Sequence, residues 1–250
     1  MVKIIRIENE TFRIGEPLSA CIGFFDGMHR GHQELMKETI GFAEKNGLSS
    51  ALICFDPDPY DLLHEEKNAH IFSQEQRIRM IEKFGFDVCI IIHFDDEMMK
   101  MDPIDFINKY LNRMDLKYLV YGFDFRFGYQ GRGNSDTLKR YGSFESRMIP
   151  EYTYYGTKVS STRIKDNLLK GNLKLVNRLL GFDYYLNLKT VNCSQNGSKW
   201  LIEAIVPYED VLIPKEGVYP GLFEIRNGHF FIESDCKRPI GDLFEIRVTL

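Results

Sequence analysis

The chain has 250 residues, enough for one large domain or one domain with a smaller companion, and its 44% hydrophobic and 27% charged residues are typical of a folded protein. A formal net charge of -4 argues against a protein that holds nucleic acid through its phosphates, because such proteins are usually basic. No apolar run is long enough to cross a bilayer. From the net charge we therefore expect no nucleic-acid partner, and from the lack of such a run we expect no membrane partner.

Cysteine usage and the first residues bear on the compartment. The five cysteines form no C-x-x-C pair and their number is odd, which disfavours both a zinc site and a disulfide framework. Residues 1–8 are interrupted by charge and lead into no signal-peptide core. We therefore expect reduced thiols, no metal bound by the protein itself and a cytoplasmic location.

Apolar runs and helical patterns alternate through the first two thirds of the chain. Near-continuous apolar runs predict strands covered on both faces at 20–25, 50–55, 88–92 and 118–121. Helical spacing predicts helices after Gly31, over 74–84 and over 103–111, the last with proline in its first turn. This alternation predicts an α/β fold built on a doubly wound parallel sheet.

The pattern changes after Gly181. Short strands are predicted at 184–191, 200–206, 218–225 and 243–248, with turn signals such as Asn196-Gly197 and Asn227-Gly228 between them. These features are typical of a small antiparallel β unit. We therefore predict two domains, 1–182 and 183–250.

The most informative segment is 23–33, which reads G-F-F-D-G-M-H-R-G-H-Q. It follows a predicted strand and opens a predicted helix, so it lies at the carboxyl edge of a parallel sheet, where α/β proteins bind ligands. A helix start offers free N–H groups and partial positive charge to a phosphate. Gly27 and Gly31 let the backbone bend and let a ligand approach. We interpret His29 and His32 as hydrogen-bond donors to a phosphate and to its transition state.

The sequence allows two other interpretations of these histidines. A single histidine is more often a structural or exposed side chain than a catalyst, but two of them around Arg-Gly in a glycine-rich turn are harder to explain by chance. A metal site would need a further histidine or carboxylate at ligand spacing, and the sequence shows none clearly. The phosphate interpretation is favoured.

Three other segments combine turn residues with charged or aromatic side chains. The S-S-T-R-I-K stretch predicts a helix with Ser160 or Ser161 as N-cap and Arg163 placed for an anion, although a capped helix with an exposed arginine explains it as well. The stretch 121–128 carries alternating phenylalanines that either pack or border an aromatic ligand. The stretch 55–59, F-D-P-D-P, is at its simplest a rigid turn.

Taken in order, these segments resemble the prokaryotic FAD synthetase family, whose usual members are bifunctional riboflavin kinase/FMN adenylyltransferases. The family patterns are G-x-F-D-G-x-H-x-G-H at 23–32, F-D-P-x-P at 55–59, G-x-D-F-x-F-G at 122–128 and S-S-T-x-I-[RK] at 160–165. The resemblance covers about residues 20–182 and implies a Rossmann-like nucleotidyltransferase of the HxGH superfamily. Where the family often has histidine, this chain has Asp58, which puts the role of that turn in doubt.

The resemblance implies the reaction FMN + ATP → FAD + pyrophosphate, with Mg²⁺ accompanying ATP. It assigns His29 and His32 to the ATP phosphates and the transferring phosphoryl group, and Arg163 to the leaving pyrophosphate. The other implied contacts fall into two groups. The implied ATP-binding residues are Gly23, Phe24, Asp26, Gly31, Asp124, Ser160, Ser161 and Thr162, and the implied flavin-binding residues are Phe55, Asp58, Phe123, Phe125, Arg126 and Phe127.

The last 70 or so residues depart from the family pattern. The usual flavokinase barrel opens with G-x-x-x-G-R-x-x-G-F-P-T-A-N, and nothing in this sequence matches it. The stretches 212–219 and 242–248 nevertheless resemble strands of that barrel, which indicates a truncated relic. We therefore expect adenylyl transfer without riboflavin kinase activity.

Two alternatives to this function stay open from the sequence. A nucleotidyltransferase with another acceptor, such as a phosphopantetheine-like or cytidylyl substrate, is disfavoured by the F-D-P turn and the phenylalanine loop. A flavin- or nucleotide-binding regulator without turnover is disfavoured by the intact His29, His32 and Arg163.

Overall fold

The computed structural model describes residues 1–9, 11–64 and 69–249. The chain divides into two compact units, Met1–Asn68 with Gln74–Lys158, and Ala69–Ser73 with Val159–Leu250. This division by compactness starts the main part of the second unit at Val159. The domain boundary near residue 182 rests on the change of sequence pattern after Gly181 and stays a prediction.

A parallel sheet forms the centre of the first unit. Its strands are β1 (Lys3–Ile7), β2 (Leu18–Ile22), β3 (Ser49–Asp56), β4 (Val88–His93), β5 (Leu116–Gly122) and β6 (Glu145–Ile149). Their order across the sheet is β1-β4-β3-β2-β5-β6. At its centre, Ala20 pairs with Ala51 on one side and with Leu119 on the other, and every residue of β2 is buried. The α/β class and the parallel sheet predicted from the apolar runs are confirmed.

Helices connect these strands, and several begin at recognisable caps. They are α1 (Arg30–Asn46), α2 (Pro59–His64), α3 (Gln74–Lys83), α4 (Asp96–Met99), α5 (Pro103–Lys109) and α6 (Ser135–Tyr141). The Asp102 side chain caps α5 by accepting from the N–H of Ile104, and Pro103 fills the first turn as predicted. A reciprocal capping box between Asn134 and Thr137 starts α6.

The strand order creates a switch point in the sheet. From β2 the chain proceeds outward through β3 to β4, and it then returns to the other side of β2 with β5 and β6. Connections that follow β2 and β5 therefore leave in opposite directions, and a crevice opens between them at the carboxyl edge. This crevice is where a doubly wound sheet binds its ligand.

Two features of the first unit differ from the sequence-based expectations. The strand expected over 20–25 ends at Ile22, because Phe25 takes a left-handed conformation with φ of 60°. Strands β1 and β6 were not predicted. Much of each is exposed, since they lie at the two edges of the sheet, so neither shows the apolar run of a central strand.

A short hairpin ends the first unit, and the second unit is mainly antiparallel. The hairpin consists of β7 (Thr153–Tyr154) and β8 (Thr157–Lys158). The second unit contains α7 (Ser161–Leu169), α8 (Leu173–Leu180), β9 (Tyr185–Asn196), β10 (Lys199–Ile205), β11 (Gly217–Tyr219), β12 (Phe223–Arg226), β13 (His229–Ser234) and β14 (Leu243–Arg247). Its strands form one sheet in the order β11-β12-β13-β10-β9-β14. The predicted antiparallel β unit is confirmed.

The prediction of one strand over 218–225 is wrong in detail. This stretch contains two strands, β11 and β12, which pair with each other across a turn where Gly221 has φ of 75°. Strand β13 was also missed, although the Asn227-Gly228 signal that precedes it does form the predicted turn, with both residues at positive φ. Among the helices of the described ranges, none is both long and apolar enough to span a membrane.

Candidate active site

The connection between β2 and α1 forms a tight, buried loop at the switch point. Phe25, Gly27 and Met28 all have positive φ, so the chain turns sharply through the left-handed region before α1 begins. The loop is fastened to the sheet by Gly23, whose N–H donates to the carbonyl of Ile53 at 3.1 Å. Backbone strain of this kind persists where the surrounding structure holds it, and it is frequent at ligand sites.

His29 is the N-cap of α1, and this cap determines which ring nitrogen of the neutral imidazole carries the proton. Its Nδ1 atom accepts a hydrogen bond from the backbone N–H of His32 at 3.3 Å. Since Nδ1 must carry a lone pair to accept, the single proton of the neutral ring resides on Nε2. A Cβ atom on Gly31 would lie 3.2 Å from the His29 ring, so glycine at this position leaves room for the imidazole. The cap thus leaves Nε2–H as the hydrogen-bond donor of His29.

The imidazole rings of His29 and His32 stack on each other. Their centroids are 3.8 Å apart and their planes differ by 13°. The ring of Phe25, on the same loop, packs edge to face against the His32 ring, with their centroids 5.1 Å apart. In this part of the structure the Nδ1 atom of His32 is buried and has no hydrogen-bond partner within the described ranges.

Burial keeps both histidines neutral. Burial lowers the pKa of His29 from 6.5 to about 4, while the carboxylate of Asp26 acts in the opposite direction. Burial also lowers the pKa of His32 well below its usual value, and the positive charge of a protonated His29 would lower it further. At neutral pH the pair therefore offers polarised N–H donors and no positive charge.

The loop after β5 brings a carboxylate to the other side of the crevice. Asp124 is exposed, and its Oδ2 atom pairs with the ammonium group of Lys158 at 2.5 Å. The same ammonium lies 4.6 Å above the ring of Phe123. Lys158 was not singled out in the sequence, because a single lysine ahead of a helix cap is indistinguishable there from an ordinary solvated side chain.

The phenylalanine loop continues the hydrophobic core. Phe127 is buried, its ring lying 5.5 Å from that of Phe125 and 5.6 Å from that of Phe106. Gly133 passes so close that a Cβ atom there would lie 2.6 Å from the Phe127 ring. Arg126, which lies between these two phenylalanines in the sequence, is exposed. The flavin contacts expected of these residues stay predictions.

The turn after β3 is compact. The Asp56–Pro57 peptide is cis, and the Oδ1 atom of Asp58 accepts from the N–H of Tyr60 at 2.9 Å. Asp58 is buried, and the partly buried ring of Phe55 packs 5.9 Å from that of Phe94. The structure thus gives Asp58 a local role in the turn, and its expected contact with flavin stays a prediction.

Arg77 supports the histidine loop and was missed by the sequence analysis. Its side chain on α3 is only 8% exposed; Nη1 donates to the carbonyl of Phe24 at 3.2 Å, and the guanidinium lies 4.4 Å from the Phe24 ring centroid. It also lines a cavity of about 10 Å³. The only sequence signal was an arginine on a charged helix, which is more often solvated.

Ser160 is confirmed as the N-cap of α7 in the second unit. Its Oγ atom accepts from the N–H of Arg163 at 3.2 Å, and Asn167 donates to the Arg163 carbonyl at 2.7 Å. Ser161 and Thr162 fill the first helical turn. These residues belong to a different compact unit from the histidines, and their shared use in one reaction stays a prediction.

Comparison with known proteins decides the family. A family model described as FAD synthetase matches residues 13–163, more than half of the chain. The chain belongs to the FAD synthetase family. The matched segment contains the histidine loop, the phenylalanine loop and Ser160 to Arg163, so the geometry described above lies within the part that defines this family.

Curated relatives of this FAD synthetase family member carry a two-part name. The bifunctional riboflavin kinase/FMN adenylyltransferase of Listeria monocytogenes is 31% identical over 212 residues, which cover 82% of this chain and 68% of the relative. The protein of the same name from Bacillus subtilis is 29% identical, covering 84% and 68%. That from Buchnera aphidicola is 32% identical, covering 78% and 64%, so the match spans about two thirds of each relative.

A solved structure shares the fold of this family member. The crystal structure titled macrolide-efflux protein from Streptococcus pneumoniae superposes with a TM-score of 0.86, covering 99% of this chain and 89% of that one. At 23% sequence identity the likeness concerns the fold alone.

Within residues 1–9, 11–64 and 69–249, no group of three or more histidine, cysteine, aspartate or glutamate side chains is arranged to hold a metal ion. Each of the five cysteines is a free thiol.

Proposed function

We propose that this chain transfers the adenylyl group of ATP to the phosphate of FMN, which gives FAD and pyrophosphate, and that it does not phosphorylate riboflavin. The observation that carries the proposal is the stacked, neutral histidine pair at the switch point, within the segment matched by the FAD synthetase model. The acceptor is taken from the relatives, whose names include FMN adenylyltransferase.

The histidines act on the phosphates as hydrogen-bond donors. An oxygen of the FMN phosphate attacks the α-phosphorus of ATP, and the bond to pyrophosphate breaks with its electrons leaving on the pyrophosphate oxygen. The FMN phosphate is already anionic, so the step needs no general base. The Nε2–H of His29 and an N–H of His32 stabilise the charge that develops on the transferring phosphoryl oxygens.

The leaving pyrophosphate is held by the start of α7. The guanidinium of Arg163 offers a planar fork of donors to phosphate oxygens. Since the Oγ atom of Ser160 accepts from the Arg163 N–H, its own hydroxyl proton is free to point at a phosphate. Ser161 and Thr162 add hydroxyl groups in the first turn. Mg²⁺ enters with ATP as part of the substrate, bound by the phosphate oxygens it prefers.

The nucleotide and the flavin occupy the two sides of the crevice in this proposal. Gly23, Phe24, Asp26 and Gly31 shape the ATP side, and Asp124 contacts the nucleotide. The flavin side is bordered by aromatic and polar residues of the turn after β3 and the loop after β5. These residues are Phe55, Asp58, Phe123, Phe125, Arg126 and Phe127, among which Phe123 is one of the more exposed aromatic side chains.

Two further parts of the proposal concern kinase activity and location. The sequence lacks the G-x-x-x-G-R-x-x-G-F-P-T-A-N segment of the flavokinase, so this chain has no evident means of binding ATP for riboflavin phosphorylation. Five free thiols fit a reducing compartment, and we place the protein in the cytoplasm.

Chromatography of the flavin products tests the proposal. Purified protein is incubated with ATP, Mg²⁺ and either riboflavin or FMN. We expect FAD from FMN and neither FMN nor FAD from riboflavin. Formation of FMN from riboflavin would show that the second unit is a working kinase.

Absence of product from both flavins is the outcome that contradicts adenylyl transfer to FMN. Other phosphomonoesters, including phosphopantetheine, are then offered as acceptors with ATP and with CTP. Tight binding of FMN or ATP without any turnover, with oxidised and reduced flavin alike, would identify a binding protein instead.

A further inference from the structure

Lys158 reaches the crevice because three neighbouring strands end there. Strands β2, β5 and β6 lie side by side and run parallel, so the segments after them leave from the same edge of the sheet. The segment after β2 carries His29, and the segment after β5 carries Asp124. The segment after β6 runs through Tyr152, whose Cβ lies 3.6 Å from where a Cβ on Gly31 would be, into the hairpin that ends at Lys158.

Two contacts orient the Lys158 ammonium group. It pairs with the Asp124 carboxylate at 2.5 Å and lies 4.6 Å above the Phe123 ring. A lysine with this pair of partners holds its flexible chain in one region instead of sampling many rotamers. Its side chain remains 41% exposed, so the ammonium group is accessible to a ligand in the crevice.

The charges expected in the crevice indicate a role for this ammonium group in binding phosphate. An ATP polyphosphate chain brings several negative charges, and the histidines that face it are neutral because burial lowers their pKa values. The charges of Lys158 and Asp124 both act on His29, which puts the ammonium within electrostatic reach of the phosphate-binding loop. A cation placed beside a phosphate-binding loop attracts phosphate.

We propose that Lys158 is a further substrate-binding residue of this site, and that its ammonium group donates hydrogen bonds to the polyphosphate of ATP and to pyrophosphate while Asp124 holds it in place. This inference rests on the proposed function, because it names a ligand group of the same site. An ion pair that merely ties the hairpin to the β5 loop is the alternative that the test must separate.

Lys117 provides a matched control for Lys158. It also pairs with an aspartate, Asp115, at 2.6 Å, and its side chain is 53% exposed. It lies near the opposite, amino end of β5. Replacing either lysine by methionine removes one exposed ion pair from the same unit, and exposed pairs contribute little to stability.

The experiment uses the full chain as wild type, Lys158→Met, Lys158→Arg, Asp124→Asn and Lys117→Met. FAD formation is measured against ATP and against FMN, the reverse reaction against pyrophosphate, and binding of Mg²⁺–ATP without flavin by calorimetry. We expect Lys158→Met to raise the KM for ATP and for pyrophosphate about tenfold, the loss of one charge-assisted hydrogen bond. The KM for FMN should stay near that of the wild type, and Lys158→Arg should recover most of the loss.

Asp124→Asn separates binding from anchoring. If Lys158 only anchors the hairpin, replacing either Lys158 or Asp124 breaks the same ion pair. Lys158→Met and Asp124→Asn should then weaken pyrophosphate binding equally, and that result would overturn the inference. We expect Lys158→Met to weaken it more, because the asparagine variant keeps the cation. Parameters for Lys158→Met equal to those of Lys117→Met would also overturn it.

Failure of the proposed function is visible separately. In that case the wild type makes no FAD, and the calorimetric comparison of Mg²⁺–ATP binding still decides the role of Lys158. If Lys158→Met does not fold, the comparison of Lys158→Arg with Asp124→Asn replaces it. Weaker pyrophosphate binding by the arginine variant than by the asparagine variant would then contradict a binding role that depends on positive charge.

Discussion

The imidazole rings of His29 and His32 lie parallel with their centroids 3.8 Å apart, and the backbone N–H of His32 donates to Nδ1 of His29. Two cations cannot share this arrangement without strong repulsion, and burial already opposes charging either ring. In the reaction that we propose, this stack presents neutral N–H donors to a phosphate from the start of a helix.

Removing either histidine tests this role. We expect His29→Ala and His32→Ala each to lower kcat for FAD formation by about a hundredfold or more, the usual cost of losing one donor to a transition-state oxygen. His93→Ala is the matched control, since His93 ends the parallel strand β4 and its side chain is 45% exposed. Full turnover by either site variant would remove the core of the proposed mechanism.

Stability should depend on pH through His29. Its pKa falls from 6.5 to about 4 on folding, so the unfolded chain binds this proton more tightly than the folded one. The contribution of the neutral His29 ring to the free energy of unfolding is fully present above pH 6.5 and is lost progressively as the pH falls toward 4. We expect the wild type to lose up to about 3 kcal/mol more than His29→Gln over that range.

Urea unfolding at a series of pH values measures this difference. Comparing the wild type with His29→Gln cancels the contribution of carboxylates, which titrate in the same range in both proteins. Parallel stability curves for the two proteins would show that His29 is not buried as described.

Arg77 should matter more than its neighbour on α3. Arg77→Met removes the donor to the Phe24 carbonyl and the cation above the Phe24 ring. We expect a loss of about 1–3 kcal/mol in unfolding free energy and a lower kcat/KM for ATP, because the loop before His29 loses its support.

Arg79→Met is the control for Arg77→Met. Arg79 lies on the same helix, is 60% exposed and pairs with Glu75. We expect a change of less than about 1 kcal/mol and unchanged kinetics. Equal effects of the two substitutions would mean that Arg77 contributes only as a helix surface residue.

Gly133 should not tolerate a side chain. A Cβ atom at this position would lie 2.6 Å from the Phe127 ring, so Gly133→Ala must displace an aromatic ring that is packed in the core. We expect a loss of about 1–3 kcal/mol, typical of overpacking. Gly41→Ala, at an exposed α1 position with open space, should instead stabilise the protein by up to about 1 kcal/mol.

Thermal unfolding of the two glycine variants checks this prediction. Opposite shifts of the melting temperature are expected, with Gly133→Ala below and Gly41→Ala above the wild type. A Gly133→Ala variant as stable as the wild type would show that the loop after β5 repacks freely.

The sequence by itself was enough to predict the strands that are buried on both faces and to identify the motifs that indicate the reaction. Central strands such as β3 and β4 have the pattern of apolar runs because most of their residues are buried. The Ser160 cap and the first-turn Pro103 were predictable because each acts within a single helical turn. The order of the four motifs indicated the family, and the glycine-rich segment 23–33 singled out His29 and His32.

Only the tertiary structure decided which side chains meet. The left-handed turn at Phe25 and the edge strand β6 have no local pattern, because they depend on what packs around them. The support of Arg77 beneath Phe24 and the approach of Lys158 to Asp124 join residues from separate elements of the fold. Such contacts follow from the strand order of the sheet, which a linear pattern does not contain.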